Sequence, residues 1–211
     1  MRVLVPFDSR DPNTRLSPVL DSAERCEFAN VLLDGVVETV RAAGHAPEIL
    51  ATEPIDADCP VRVDERPLSP AINAVLTGSS DPVAVVMSDL ALATVDRLTA
   101  LFEPAADIVL APGLGGGTNA TVIRDTDFRV DYHGGSYRKH RREADRCDLS
   151  VETVDSFRLA VDIDEPADLV EVLLHGRGDA ADWLRGAGFE LDTTGGRCVV
   201  RRDQSSNTAD R

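Results

Sequence analysis

Short apolar runs alternate with segments of helical periodicity along the chain, and this alternation constrains the fold more than any other feature. "RVLVPF" (2–7), "APEILA" (46–51), "VAVVM" (83–87) and "DIVLAP" (107–112) are continuously apolar or nearly so, as strands covered on both faces are. Between them, "SPVLDSAERCEFANVLLDGVVETVRAAG" (17–44), "SPAINAVLTG" (69–78) and "TVDRLTALFE" (94–103) carry helical spacing, and the first two close on Gly44 and Gly78, a common residue just past a helix end. Strand, helix, strand in repetition predicts an α/β fold with a mainly parallel central sheet flanked by helices, in a single domain.

The remaining elements fit that frame. "VRV" (61–63), "ATVIR" (120–124), "LSVETV" (149–154) and "FRLAVDID" (157–164) read as strands, and "SYRKHRREADR" (136–146) as a basic helix. Two helices, "EPADLVEVLLHG" (165–176) and "DAADWLRGAG" (179–188), precede a hairpin, "FELDTTGGRCVVRR" (189–202), turning at Gly195-Gly196. The domain is expected to span 1–202, with a frayed tail over 203–211.

Charge narrows the function classes. Acidic residues outnumber Lys plus Arg 37 to 22, a formal charge of −15, and Lys139 is the sole lysine. A diffuse acidic surface opposes phosphate-backbone and anionic-membrane binding, so neither nucleic acid nor membrane is an expected partner. Scattered Asp with depleted Lys is what a salt-adapted protein would carry; a GC-rich genome, favouring Arg over Lys, is the other explanation. Cys26, Cys59, Cys147 and Cys198 are far apart, without metal-binding spacing, as reduced cytoplasmic thiols are. No targeting signal or bilayer-length apolar run is read, and a cytoplasmic location is expected.

In an open α/β sheet, ligands bind where strands end at their carboxyl edges. Those ends here are "FDSRDPNTRL", "MSDLALAT", "APGLGGGTN" and "VDIDEP". In the last, alternation along a strand puts Asp162 and Asp164 on one side and Ile163 on the other. Two like charges so close repel unless a cation lies between them. Asp164 alone would also serve as a helix cap ahead of Glu165 and Pro166, which leaves Asp162 unexplained. Asp89, one serine after "VAVVM", is either a turn residue or the third carboxylate of an oxygen-ligand site suited to Mg²⁺. Gly115, Gly116 and Gly117 either form a flexible hairpin turn or let backbone N–H groups approach a phosphate, with Thr118 adding a hydroxyl. Gly134, Gly135 and Ser136 open a helix bearing Arg138, Lys139, His140, Arg141 and Arg142, which is either an anion site or a solvated face.

"TRLSPVL…ER", "MSDLALAT", "APGLGGGTNATVI", "YHGGSYRKH" and "LAVDIDEPADL" occur here in the order found in 2-phospho-L-lactate guanylyltransferases, which the chain resembles over roughly residues 1–190. The resemblance implies a Rossmann-like nucleotidyltransferase fold. It also implies transfer of GMP from GTP to (2S)-2-phospholactate, releasing pyrophosphate, in deazaflavin coenzyme biosynthesis. It puts metal and phosphate contacts on Asp89, Asp162 and Asp164, and acceptor contacts on Gly117, Thr118, Gly135 and Ser136. Nucleotide contacts fall on Arg15, Asn73 and Asp89, with Mg²⁺ as cofactor and a homodimer as the assembly. Phosphoenolpyruvate or 3-phosphoglycerate as acceptor, or a non-catalytic binding protein, are the alternatives. Relatives carry a first-loop lysine that "FDSRDPN" lacks, so Arg10 or Arg15 takes over its charge; His133 stands where many relatives have glycine.

Overall fold

The computed structural model describes residues 1–203, so all but the first residue of the expected tail lie outside it. Seven strands form one sheet in the order β3-β2-β1-β4-β6-β5-β7. They are β1 (Arg2–Phe7), β2 (Pro47–Ala51), β3 (Val61–Val63), β4 (Val83–Val86), β5 (Ile108–Pro112), β6 (Thr118–Ile123) and β7 (Val151–Thr153). Only β6 runs against the others, pairing antiparallel with β4 on one side and β5 on the other.

Residue alternation along each strand builds two apolar layers. Val3, Val5 and Phe7 face α1 (Ser22–Ala42) and α3 (Val95–Phe102), while Leu4 faces α2 (Leu68–Thr77) and α4 (Ser136–Arg146). Burial on both faces explains the unbroken apolar runs. A third cluster joins Leu16, Phe28 and Ile163 to α6 (Leu169–His175), α7 (Asp179–Gly186) and the hairpin of β8 (Phe189–Asp192) and β9 (Val199–Arg202).

Two expectations need correction. The first long helix starts at Ser22, not at 17: Asp21 caps it, accepting from Glu24 N–H while Glu24 reaches back to the Asp21 N–H, a reciprocal capping box. Thr14–Leu16 form a separate 3₁₀ turn. "FRLAVDID" is not a strand; Phe157–Ala160 form the short helix α5, and residues 161–164 run outside the sheet ladders. The seventh position of the sheet is taken by Val151–Thr153, paired with β5. The C-terminal hairpin forms in the expected place, pairing Phe189 with Arg202.

The sheet switches direction of winding at β1 and β4. Their ladder covers only Arg2–Leu4 against Val83–Val85. Beyond it Pro6 has no N–H to offer β4, and the strands part where the functional cleft opens.

Candidate active site

A cleft of about 580 Å³ lies at the carboxyl ends of β1, β2, β3 and β4, lined among others by Phe7, Thr52, Met87 and Asp89. Arg10, Arg15 and Arg66 line it together with six carboxylates: Asp8, Asp11, Asp64, Glu65, Asp89 and Asp164. Each guanidinium already has an internal partner. Arg10 Nε is 2.9 Å from Glu53 Oε1, Arg15 Nη1 is 2.8 Å from Asp164 Oδ2, and Arg66 Nη2 is 2.5 Å from Asp64 Oδ2.

Asp89 is the anomaly of the cleft. Its Oδ1 is buried without a hydrogen-bond partner. Burial first, then the charges of Asp162 and Asp164, push its carboxyl up to about 7, the response of a desolvated acid beside other acids. Ile163 N–H donates to the Asp89 carbonyl at 3.2 Å, which draws the two acidic segments together. Val161 and Ile163 are buried in the third cluster, so the alternation foreseen for Asp162 and Asp164 holds although the segment is no strand. Asp164 lies in the cleft lining, and burial raises its pKa, opposed by Arg15. Asp164 is not a helix cap; its N–H and that of Glu165 donate to Asp168 Oδ2 at 3.0 and 2.7 Å.

The three aspartates are neighbours rather than a finished cage. Among the described residues no three His, Cys, Asp or Glu side chains form a ready metal-ligand group, and Asp164 is paired with Arg15. The donor set nevertheless suits a hard divalent cation: carboxylate oxygens, one of them buried and unsatisfied.

The expected acceptor residues gather at a second place. Gly113–Gly117 form the β5–β6 hairpin loop, and Tyr137 N–H of α4 donates to Gly116 O at 3.3 Å, so the loop and the Gly134-Gly135-Ser136 turn adjoin. Gly134 and Gly135 both have positive φ, 43° and 63°, a conformation glycine adopts without strain. Ser136 and Thr118 are buried, and neither is among the residues lining the 580 Å³ cleft. Thr118 Oγ1 is 2.9 Å from His140 Nδ1, while His140 Nε2 accepts from Asp131 N–H at 3.0 Å. That backbone donor assigns the ring proton to Nδ1, so His140 donates to Thr118 and leaves the threonine proton free for another acceptor. Burial lowers the His140 pKa to about 4; the ring stays neutral.

Asn73 does not point its amide at the cleft. Nδ2 donates to Val130 O at 3.0 Å and Oδ1 accepts from Val130 N–H at 2.9 Å, which ties α2 to the segment before α4. On α4 itself, Lys139 pairs with Asp131 and Arg146 with Glu143. Sequence reasoning missed Asn119 within "GGGTN" as a contact of the acidic segment: its Nδ2 lies 3.2 Å from Asp162 Oδ1. It also missed Arg66, which the "ERP" turn after β3 carries into the cleft.

A sheet of this order with a cleft at its switch point is a Rossmann-like α/β fold, whose ligands bind at that point. Solved structures agree on the fold. A protein from Desulfovibrio desulfuricans G20, provisionally assigned as a nucleotide-diphospho-sugar transferase, superposes with a TM-score of 0.71 at 15% identity, over 88% of this chain and 94% of that one. A nucleotidyl transferase from a Methanothermobacter species gives 0.59 at 13% identity, over 88% and 99%. The family model described as "Guanylyl transferase CofC like" matches residues 1–203, and the chain belongs to that family. Proteins named 2-phospho-L-lactate guanylyltransferase from Halomicrobium mukohataei and Natronomonas pharaonis are 58% and 57% identical to it, over 96% of this chain and 100% and 99% of theirs.

Proposed function

We propose that this chain transfers GMP from GTP to the phosphate of (2S)-2-phospholactate, giving lactyl-2-diphospho-5′-guanosine and pyrophosphate, in the biosynthesis of coenzyme F420. Asp89 carries the chemical part of this reading: a carboxyl with one buried, unpartnered oxygen, within the field of Asp162 and Asp164. The acceptor follows from the names of relatives similar over their whole length.

An acceptor phosphate oxygen attacks the α-phosphorus of GTP; the P–O bond to the β-phosphate breaks and pyrophosphate leaves. The acceptor is ionised at neutral pH and needs no general base, which agrees with a neutral, buried His140. Positioning and charge neutralisation supply the rate. With six carboxylates against three guanidiniums in the lining, a triphosphate enters only with added cations. Asp89, Asp162 and Asp164 would hold Mg²⁺, which neutralises phosphate charge when bound. Arg15 is 63% exposed and Asp164 46%; an open pair of this kind is worth about 1 kcal/mol or less. Arg15 therefore leaves Asp164 for the nucleotide's phosphates at little cost, and Asp164 is freed for the cation. Gly117, Thr118, Gly135 and Ser136 receive the acceptor, with the free Thr118 proton directed to an anionic oxygen.

The reading extends to a salt-adapted cytoplasmic enzyme acting as a homodimer. Four free cysteines support the compartment, and among the described residues no helix is long and apolar enough to cross a membrane. The β8–β9 hairpin, with Val199 47% exposed, is the expected contact between copies, to be checked by sedimentation in high salt.

Pyrophosphate release with GTP and Mg²⁺ in concentrated KCl tests the function, comparing 2-phospho-L-lactate, phosphoenolpyruvate and no acceptor. Release with phospholactate alone is expected. Release with phosphoenolpyruvate instead keeps the chemistry and changes the acceptor. Silence with both, in folded protein, overturns the enzyme reading, and full turnover by Asp162→Asn removes the metal assignment.

A further inference from the structure

Residues 161–164 carry two of the three central acids yet belong to no ladder, so something other than the sheet must fix them. Three contacts do. Ile163 N–H donates to Asp89 O, Leu114 N–H donates to Ala160 O at 2.9 Å, and the Asn119 side chain binds the segment at several points. Asn119 Nδ2 lies 3.0 Å from Leu159 O, 3.2 Å from Ala160 O and 3.2 Å from Asp162 Oδ1. The two carbonyls fix which end of the amide carries nitrogen, since only N–H donates to them.

The same residue also reaches the other acidic arm. Its backbone carbonyl accepts from Met87 N–H at 2.9 Å, two residues before Asp89. Asn119 is itself 4% exposed, at the start of the central antiparallel strand. Its Oδ1 packs against Gly113: a Cβ at that glycine would lie 2.4 Å from Asn119 Oδ1 and 2.9 Å from its Cγ. No real Cβ tolerates that distance, so any side chain at 113 must move the amide.

We propose that Asn119 is the positioning residue that sets Asp162 relative to Asp89, and that position 113 is glycine because only glycine leaves the Asn119 amide where Asp162 needs it. The inference rests on the metal reading above and adds to it the pair of residues on which the acid spacing depends. Partners of this kind behind a metal ligand typically change metal affinity about 10–100-fold when removed.

The test is Mn²⁺ binding to nucleotide-free protein, followed by electron paramagnetic resonance, for wild type, Gly113→Ala, Asn119→Ala, the double variant and Asp162→Asn. Thermal melts are recorded in parallel. Gly113→Ala and Asn119→Ala should each weaken Mn²⁺ binding by about 10–100-fold. The double variant should bind no more weakly than Asn119→Ala, because the added methyl then enters vacated space. Gly113→Ala deletes no hydrogen-bonding group, so it keeps the test usable if Asn119→Ala fails to fold. Wild-type Mn²⁺ affinity in Gly113→Ala, or losses that multiply in the double variant, overturn the proposal. If Asp162→Asn also binds Mn²⁺ as wild type does, the metal reading itself has failed, an outcome distinct from failure of the Asn119 link alone.

Discussion

Asp89 shows how a side chain can suit a reaction while burdening the fold. Its folded-state pKa of about 7 lies above its ordinary 3.8, so without metal the folded chain holds a proton that the unfolded chain has released. The associated stability is whole below about pH 4 and is lost as pH rises toward 7. Asp89→Asn should therefore stabilise the metal-free protein by on the order of 2–4 kcal/mol at pH 8 and change it little at pH 4, read as a higher melting temperature at pH 8 only. The same variant should lose the stabilisation Mg²⁺ gives wild type, and its turnover. His140 works in the opposite pH direction. Its pKa falls from 6.5 to about 4, so its contribution is whole above pH 6.5 and is lost as pH falls through 4, roughly 3 kcal/mol in all. Wild type should lose stability more steeply than His140→Gln between those values. Nitrogen chemical shifts should show the proton on Nδ1. The shared side of Asp162 and Asp164, opposite buried Val161 and Ile163, was legible from the alternation of apolar and acidic residues, although the segment is no strand. Asn119 and His140 were not, because their roles depend on contacts such as Thr118 with His140 and Asp162 with Asn119, 22 and 43 residues apart.

The misread segment 157–164 shows where periodicity stops informing. Leu159, Ala160, Val161 and Ile163 are all buried, and a short apolar run of this kind fits a helix turn or a strand equally. Tertiary competition decides: β7 already occupies the edge beside β5, and the Asn119 amide takes the Leu159 and Ala160 carbonyls that a ladder would use. By contrast β1, β2, β4, β5 and helix α4 fell close to where expected, since burial on both faces or a strong polar stripe leaves one solution. The C-terminal hairpin is fastened by Arg202, whose Nη1 donates to Val19 O and Glu24 Oε2 at 3.0 Å each and whose Nε donates to Ala187 O at 3.0 Å. Its guanidinium also lies 5.0 Å from the Phe189 ring centre. Arg202→Ala should destabilise the fold by about 1–2 kcal/mol, after discounting for partial exposure. Hydrogen exchange should show the loss first in β8, β9 and the start of α1.

With a formal charge of −15, the folded chain works against its own repulsion unless salt screens it. The Debye length shrinks from about 10 Å at 0.1 M to about 3 Å at 1 M salt, so the melting temperature should climb steeply with KCl over that range. A flat profile would count against salt adaptation. The composition made this readable, and the repeated strand–helix order made the α/β architecture readable. The single reversed strand was legible only as one alternative, because its direction depends on the Gly-rich loop closing as a hairpin, one of two readings open to Gly115–Gly117.

That reversed strand divides the sheet into two inheritances. Arg15, Asp89 and the large cleft belong to the first four strands, whereas Thr118, Ser136 and the hairpin loop belong to the later three and α4. The loop carries Leu114 71% exposed and closes an antiparallel hairpin outside the parallel ladders. On the proposed reading the two substrates are served by separate parts of the sheet, joined where Asn119 touches both acidic arms.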